Sequence, residues 1–85
     1  MKLEVRYARS FLRDLKNLEY AARERIYDFA FEEFMRIDQI TDLPELRKIG
    51  SDNIFYRFTI DDYLIAIEVT GHLVKFLRVL PKPHL

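Results

Sequence analysis

Ile54-Phe55-Tyr56-Arg57-Phe58-Thr59-Ile60-Asp61-Asp62-Tyr63-Leu64-Ile65-Ala66-Ile67-Glu68-Val69-Thr70-Gly71-His72-Leu73 is the stretch whose reading decides the fold. Ile54–Ile60 is rich in aromatic and β-branched residues and predicts a strand. Asp61-Asp62 marks a tight turn. Tyr63–Val69 is almost entirely apolar, which predicts a central strand covered on both faces. Thr70-Gly71 predicts a two-residue hairpin loop. Leu73–Leu80 then forms a last strand, stopped by Pro81 and Pro83. Connections this short force antiparallel neighbours.

Upstream, a further short strand is expected over Glu45–Ile49, followed by a Gly50-Ser51-Asp52-Asn53 turn. Thr41, Asp42 and Pro44 close a helical region, because proline cannot continue a helix and restricts its predecessor. Within that region Ile26, Ala30, Phe34 and Ile37 recur at helical spacing, with Tyr27, Phe31 and Met35 as a second stripe beside them. This predicts a helix from about Ala21 to Asp38. Its apolar face is wider than one sheet requires, so it is either sandwiched between the sheet and another helix or partly open to a partner. Before it, Ser10 is placed to cap a helix with Phe11, Leu15 and Leu18 on its inward stripe. Residues 2–7 alternate, with Leu3, Val5 and Tyr7 on one side and Lys2, Glu4 and Arg6 on the other. This N-terminal strand joins the sheet at an edge or beside the last strand. The expected class is α+β: an N-terminal strand, a helical hairpin, then an antiparallel meander of 3–4 strands, all in a single domain over residues 1–85.

Composition narrows the function classes. The chain has 85 residues, with 14 basic and 14 acidic side chains, so its formal charge is zero. Half of it is apolar (49%), which is not a disordered composition. There is no cysteine, which removes disulfides, Cys-ligated zinc, iron–sulfur clusters and thiol nucleophiles. No window approaches about 18 uncharged apolar residues, and the N-terminus lacks the apolar core of a signal peptide. These features lead us to expect a cytoplasmic protein with no membrane association. Residues 1–42 carry 8 basic and 9 acidic groups, and residues 43–85 carry 6 and 5, so neither half has a basic field. Seven Phe and five Tyr are many to hide in so small a core, which points to an apolar groove filled by a partner. There is no phosphate loop, zinc pattern or nucleophile elbow, and no cofactor is expected.

Three segments together carry a family likeness. Ser10-Phe11-Leu12-Arg13-Asp14-Leu15-Lys16-Asn17-Leu18, Tyr56-Arg57-Phe58-Thr59-Ile60-Asp61-Asp62-Tyr63-Leu64 and Phe76-Leu77-Arg78-Val79-Leu80-Pro81-Lys82 resemble, in this order and spacing, the RelE/ParE superfamily of bacterial toxin–antitoxin systems. The resemblance covers nearly the whole chain. It implies a curved antiparallel sheet with a helical hairpin against it, and a cognate antitoxin that wraps the toxin in an oligomeric complex. It further implies a type II toxin that acts as a ribosome-dependent mRNA endonuclease inhibiting translation, or, in another branch, poisons DNA gyrase. A third reading is a catalytically silent, toxin-like module that binds an antitoxin. The chain departs from the ribonuclease pattern at Leu64, which replaces an arginine, and at Thr59, Asp61 and Lys82.

RNA cleavage by 2′-OH attack needs cations on the phosphate and groups that move protons. Arg57, Arg78 and Lys82 are the cationic candidates. His84 and Tyr63 are the proton-handling candidates, and His72 is a third titrating group. Each has a plainer reading. Arg57 and Arg78 alternate with apolar neighbours, as on the solvent side of a sheet. Tyr63 reads as a packed strand aromatic and His72 as a solvated turn residue. Lys82 and His84 lie among terminal prolines. Asp61-Asp62 reads as a turn rather than a metal site.

Overall fold

The computed structural model describes residues 3–83. Strand β1 (Glu4–Tyr7) leads into helix α1 (Arg9–Lys16) and helix α2 (Tyr20–Phe31). Strands β2 (Arg47–Lys48), β3 (Phe55–Ile60), β4 (Tyr63–Thr70) and β5 (Leu73–Pro81) follow. They form one sheet in the order β1-β5-β4-β3-β2. The meander β2 to β5 is antiparallel throughout, and β1 lies parallel to β5 at one edge. This is the α+β architecture that the change of hydrophobic period predicts.

Residues directly opposite on neighbouring strands share a face. The inner face carries Phe58 and Ile60 from β3, Ile65 and Ile67 from β4, and Val74, Phe76 and Val79 from β5, all buried. Helix α1 adds Phe11 and Leu15, and α2 adds Ile26, Phe29 and Ala30. Phe76 is the hub, with the rings of Phe34, Phe11 and Tyr7 centred 5.0, 5.2 and 5.5 Å away. The Tyr7 hydroxyl donates to the Ala30 carbonyl at 2.7 Å. Burial, with the neighbouring Tyr27, pushes its pKa above the ordinary phenol range.

Several boundaries differ from expectation, each for a local reason. Helix α2 ends at Phe31, and Glu33–Arg36 winds as a tighter 3₁₀ turn. That turn delivers Phe34, fully buried, edge-on to Phe76, while Met35 stays 42% exposed. Tyr20 and Tyr27 are likewise exposed, so the wide apolar face of α2 is only partly covered. Pro44 and the positive φ of Glu45 (53°) break the strand expected over Glu45–Ile49, leaving two paired residues. The second hairpin loop is Gly71-His72, one residue later than expected, because Thr70 pairs with Leu73. That register asks for φ > 0 at the first loop residue, which Gly71 supplies at 61° without steric cost. The strand also runs one residue into Pro81, whose missing N–H costs nothing at the strand end. Finally, β4 is not covered on both faces. Both helices pack on the inner side, and Leu64 and Ala66 on the outer side remain partly open.

A β-bulge shapes the far end of β5. Ala66 faces Arg78 while Ile67 faces Phe76, so Leu77 is an extra residue on β5. The extra residue shifts the alternation, so Val79 rather than Arg78 enters the core. Beyond Phe76, β5 has no β1 partner, and α1 takes over its polar groups. The expected cap, Ser10, sits inside α1, whose N-cap is Ala8. Its hydroxyl instead donates to the Leu77 carbonyl at 2.6 Å. One turn on, the Asp14 carboxylate accepts the Val79 N–H at 2.9 Å and a two-pronged contact from the Arg78 guanidinium at 2.6 and 3.2 Å.

Burial alone would raise the Asp14 pKa. The hydrogen bonds from Arg78 and the Val79 N–H, with the charges of Arg78 and Arg13, outweigh it and hold the carboxyl below its usual range. A carboxyl with a lower pKa in the folded chain contributes stability above the unfolded value of about 3.9. That contribution is lost as pH falls through the lower folded value. Asp14→Ala leaves the Val79 N–H without its partner and should cost about 1–3 kcal/mol. Urea unfolding at neutral pH measures this, and the gap from wild type should narrow as pH drops below the carboxylate range.

Candidate functional site

The outer face of the sheet carries the polar chemistry. Arg47 on β2 faces Arg57 on β3, Arg57 faces Ala66 on β4, and Ala66 faces Arg78 on β5. One row across four strands thus presents three arginines around a single small residue. The next row runs Thr59, Leu64, Leu80. Like charges directly opposite on adjacent strands repel. Among the described residues, no carboxylate pairs with Arg47 or Arg57. Two exposed, uncompensated guanidiniums facing each other form a place where an anion is stabilising.

Around this row lies a concavity of about 250 Å³, lined by Glu45, Arg47, Arg57, Thr59, Leu64 and Lys82. Glu45 organises it. The Pro44 carbonyl accepts the Thr59 N–H at 3.1 Å, which pins the segment over β3. The left-handed backbone of Glu45 then turns its carboxylate inward to accept the Thr59 hydroxyl at 3.0 Å and to face the Lys82 ammonium at 3.6 Å. The Lys82 N–H donates to the Asp62 carbonyl at 2.7 Å, so the chain leaving β5 is held against the β3–β4 turn. A second concavity of about 400 Å³ adjoins the first through Arg57 and Leu64. Its other walls are Lys48, Ile49, Ala66 and Leu80. The arrangement can bind an anion and an adjacent apolar group together.

No protein-family model matches this sequence. A curated relative, the toxin RelE3 of Methanocaldococcus jannaschii, is 34% identical over 79 residues, covering 92% of this chain and 89% of the relative. The chain belongs to the RelE toxin family. A chain of the RelB–RelE antitoxin–toxin complex from Methanococcus jannaschii shares the fold with a TM-score of 0.73 at 32% identity, over 89% of this chain and 88% of that one. In the RelBE2 toxin–antitoxin complex of Mycobacterium tuberculosis the fold recurs at 19% identity, with a TM-score of 0.74 over 96% and 100% of the two chains.

Within this RelE-family chain the five expected site residues have different surroundings. Arg57 and Lys82 share the cationic concavity. Arg78 belongs to the same cross-strand row, but its guanidinium turns to Asp14, whose hydrogen bond and charge raise its pKa further. Tyr63 faces Ile60 on the inner side of the sheet and lines a separate concavity of about 210 Å³ with Glu19, Arg25, Asp61 and Asp62. His84 lies outside the described residues. His72 is exposed in the β4–β5 turn, at the end of β4 opposite Leu64. Three positions that shape this face escaped the sequence reading: Arg47, Glu45 and Asp14. The first two had a signal, since Glu45, Arg47 and Ile49 alternate, and all three line the outer cleft. Asp14 had one in its spacing of four from Ser10, which puts both polar groups on one helical face.

The Glu45 carboxylate competes with any incoming anion for Lys82. Glu45→Gln should therefore tighten polyanion binding several-fold, and Arg57→Ala should weaken it. Elution salt on a heparin column reads both: the first variant should leave later than wild type, the second earlier.

Proposed function

We propose that this chain is the toxin of a type II toxin–antitoxin pair, and that it inhibits translation in the cytoplasm as a ribosome-dependent mRNA endonuclease. Its partner is a RelB-like antitoxin with which it forms a complex. The observation that carries the reading is the match to a RelE toxin over nearly the whole chain at 34% identity. The solved RelB–RelE complex supports the antitoxin. The Arg47–Arg57 couple, without a carboxylate partner among the described residues and with Lys82 beside it, supports phosphate binding. In this reading Arg57 and Lys82 hold the phosphate and Arg47 completes the clamp. Arg78 supports the row while tied to Asp14, and proton handling falls to the C-terminal His84. Tyr63, on the inner face, has no part in it.

One specific observation favours a second reading, a catalytically silent antitoxin-binding module. Leu64 lies in the middle of the cleft, where the resemblance to ribonuclease members calls for an arginine.

Induced expression in bacterial cells distinguishes the two. A nuclease should arrest growth, the arrest should be lifted by the cognate antitoxin, and primer extension should show new 5′ ends within translated mRNA. Arg57→Ala should lower the cleavage rate about 10²-fold, the scale for removing one charge-stabilising donor. Growth arrest that Arg57→Ala and Lys82→Ala leave untouched would reject the assignment. A folded chain that neither arrests growth nor cleaves, yet binds the antitoxin, would establish the silent module.

A further inference from the structure

Strand β1 is an open edge of the sheet, and its sequence is complementary to itself. The Glu4 and Ala8 N–H groups donate to the His72 and Phe76 carbonyls at 2.8 and 2.9 Å, on the β5 side. Backbone direction alternates along a strand, so the N–H and C=O of Val5 face away from β5. On that side, among the described residues, the sheet has no further strand. The Val5 carbonyl is met there by the side chain next to it, accepting the exposed Arg6 guanidinium at 3.1 Å. Glu4 and Arg6 both stand exposed on the outer face, with their charged groups 3.5 Å apart. We propose that a second copy of this chain pairs with this edge, β1 against β1 in antiparallel order, about a two-fold axis through Val5.

Charge and register select that axis. Residues directly opposite in an antiparallel pair share a face, so a slip of one residue would set charges against apolar groups. With the axis at Val5, Val5 meets its own copy and Leu3 meets Tyr7 on the inner side, where all three already border the core. Their outward N–H and C=O groups then form the close hydrogen-bonded pairs of an antiparallel ladder. On the outer side, Glu4 of each copy meets Arg6 of the other. An axis through Glu4 or through Arg6 would instead set like charge against like charge. Arg6 benefits further, because its neighbour on β5 is Lys75, and an acid on the open side balances those two cations. Edges that stay single are blunted by charge of one sign, by proline or by a bulge. Glu4–Tyr7 carries both signs, no proline and an unbroken register with β5. The axis stands perpendicular to the sheet, so the helices of both copies lie on the same side of the joined sheet. In each copy an aromatic stack rises from the seam strand: Phe31 lies 4.2 Å from Tyr7, and Tyr27, still exposed, lies 4.6 Å from Phe31. Pairing brings these two stacks toward each other and gives the partly covered face of α2 an apolar neighbour.

Sedimentation equilibrium of the full chain, purified free of antitoxin and followed up to its highest soluble concentration, tests the pairing. Wild type should be a reversible dimer. Glu4→Arg and Arg6→Glu, each alone, set like charges opposite each other at two places and should raise the dimer Kd about tenfold or more. Mixed in equal amounts, these two variants should form a heterodimer, because one copy then presents only cations at the seam and the other only carboxylates. The double swap Glu4→Arg/Arg6→Glu should dimerise as wild type does. Both positions are exposed, so the variants should keep the wild-type circular dichroism spectrum. A wild type that stays monomeric overturns the proposal. So does a dimer that the single variants leave intact, or one that neither mixing nor the double swap restores. A monomeric wild type whose complex with coexpressed cognate antitoxin is weakened by the single variants assigns this edge to the antitoxin and overturns the self-pairing. The reading of the outer cleft stands or falls separately, since none of these substitutions touches it.

Discussion

The outer end of β5 depends on one carboxylate. Once β1 stops at Tyr7, β5 would run on as a bare edge with unpaired backbone groups and a bulge that bends it. Asp14 supplies what a sixth strand would have supplied. It accepts the Val79 N–H, and one turn earlier Ser10 donates to the Leu77 carbonyl. Helix α1 is thereby stitched to the sheet by hydrogen bonds as well as by Phe11 and Leu15. The same carboxylate holds Arg78 in two-pronged contact, so the bulge, the helix and one cation of the outer row form a single unit. Shift that unit by one residue and Arg78 points into the core while Val79 faces water.

The bulge also explains how a neutral chain can carry a cationic face. Basic and acidic side chains balance over the sequence, and no segment is biased. Folding sorts them by strand register instead. Arg47, Arg57 and Arg78 come from segments separated by ten and twenty-one positions, yet pairing lines them up in one row. Among the described residues Glu45 is the one carboxylate lining that cleft, and it is engaged by Thr59 and Lys82. Net charge is a poor guide to nucleic-acid binding when the sheet concentrates one sign on one face.

The chemistry implied by this face is positioning first. Guanidiniums recognise phosphate geometry better than flexible ammoniums do.

Much of this molecule was legible in the chain itself. The switch from a period near 3.6 to a period of two separates the helices from the meander, because burial on one face imposes those spacings regardless of context. The turn residues Asp61-Asp62 and Gly71 locate the hairpins, because only a few residue types accept φ > 0. Arg57 stands out as a cation within a family-like hairpin, and Lys82 as one at the end of the family-like terminal segment. Tertiary structure alone decided the rest. Leu77 is an extra residue only because α1 can satisfy the groups it leaves unpaired, and local propensity carries no record of that. Tyr63 and Arg57 fall on opposite faces through a register that both strands set jointly. Arg47 becomes a site residue because β2 pairs at the position that puts it opposite Arg57, and Asp14 because α1 crosses β5 at the bulge. Periodicity fixes what each segment must bury, whereas which side chains meet across segments is decided by pairing and packing between distant parts of the chain.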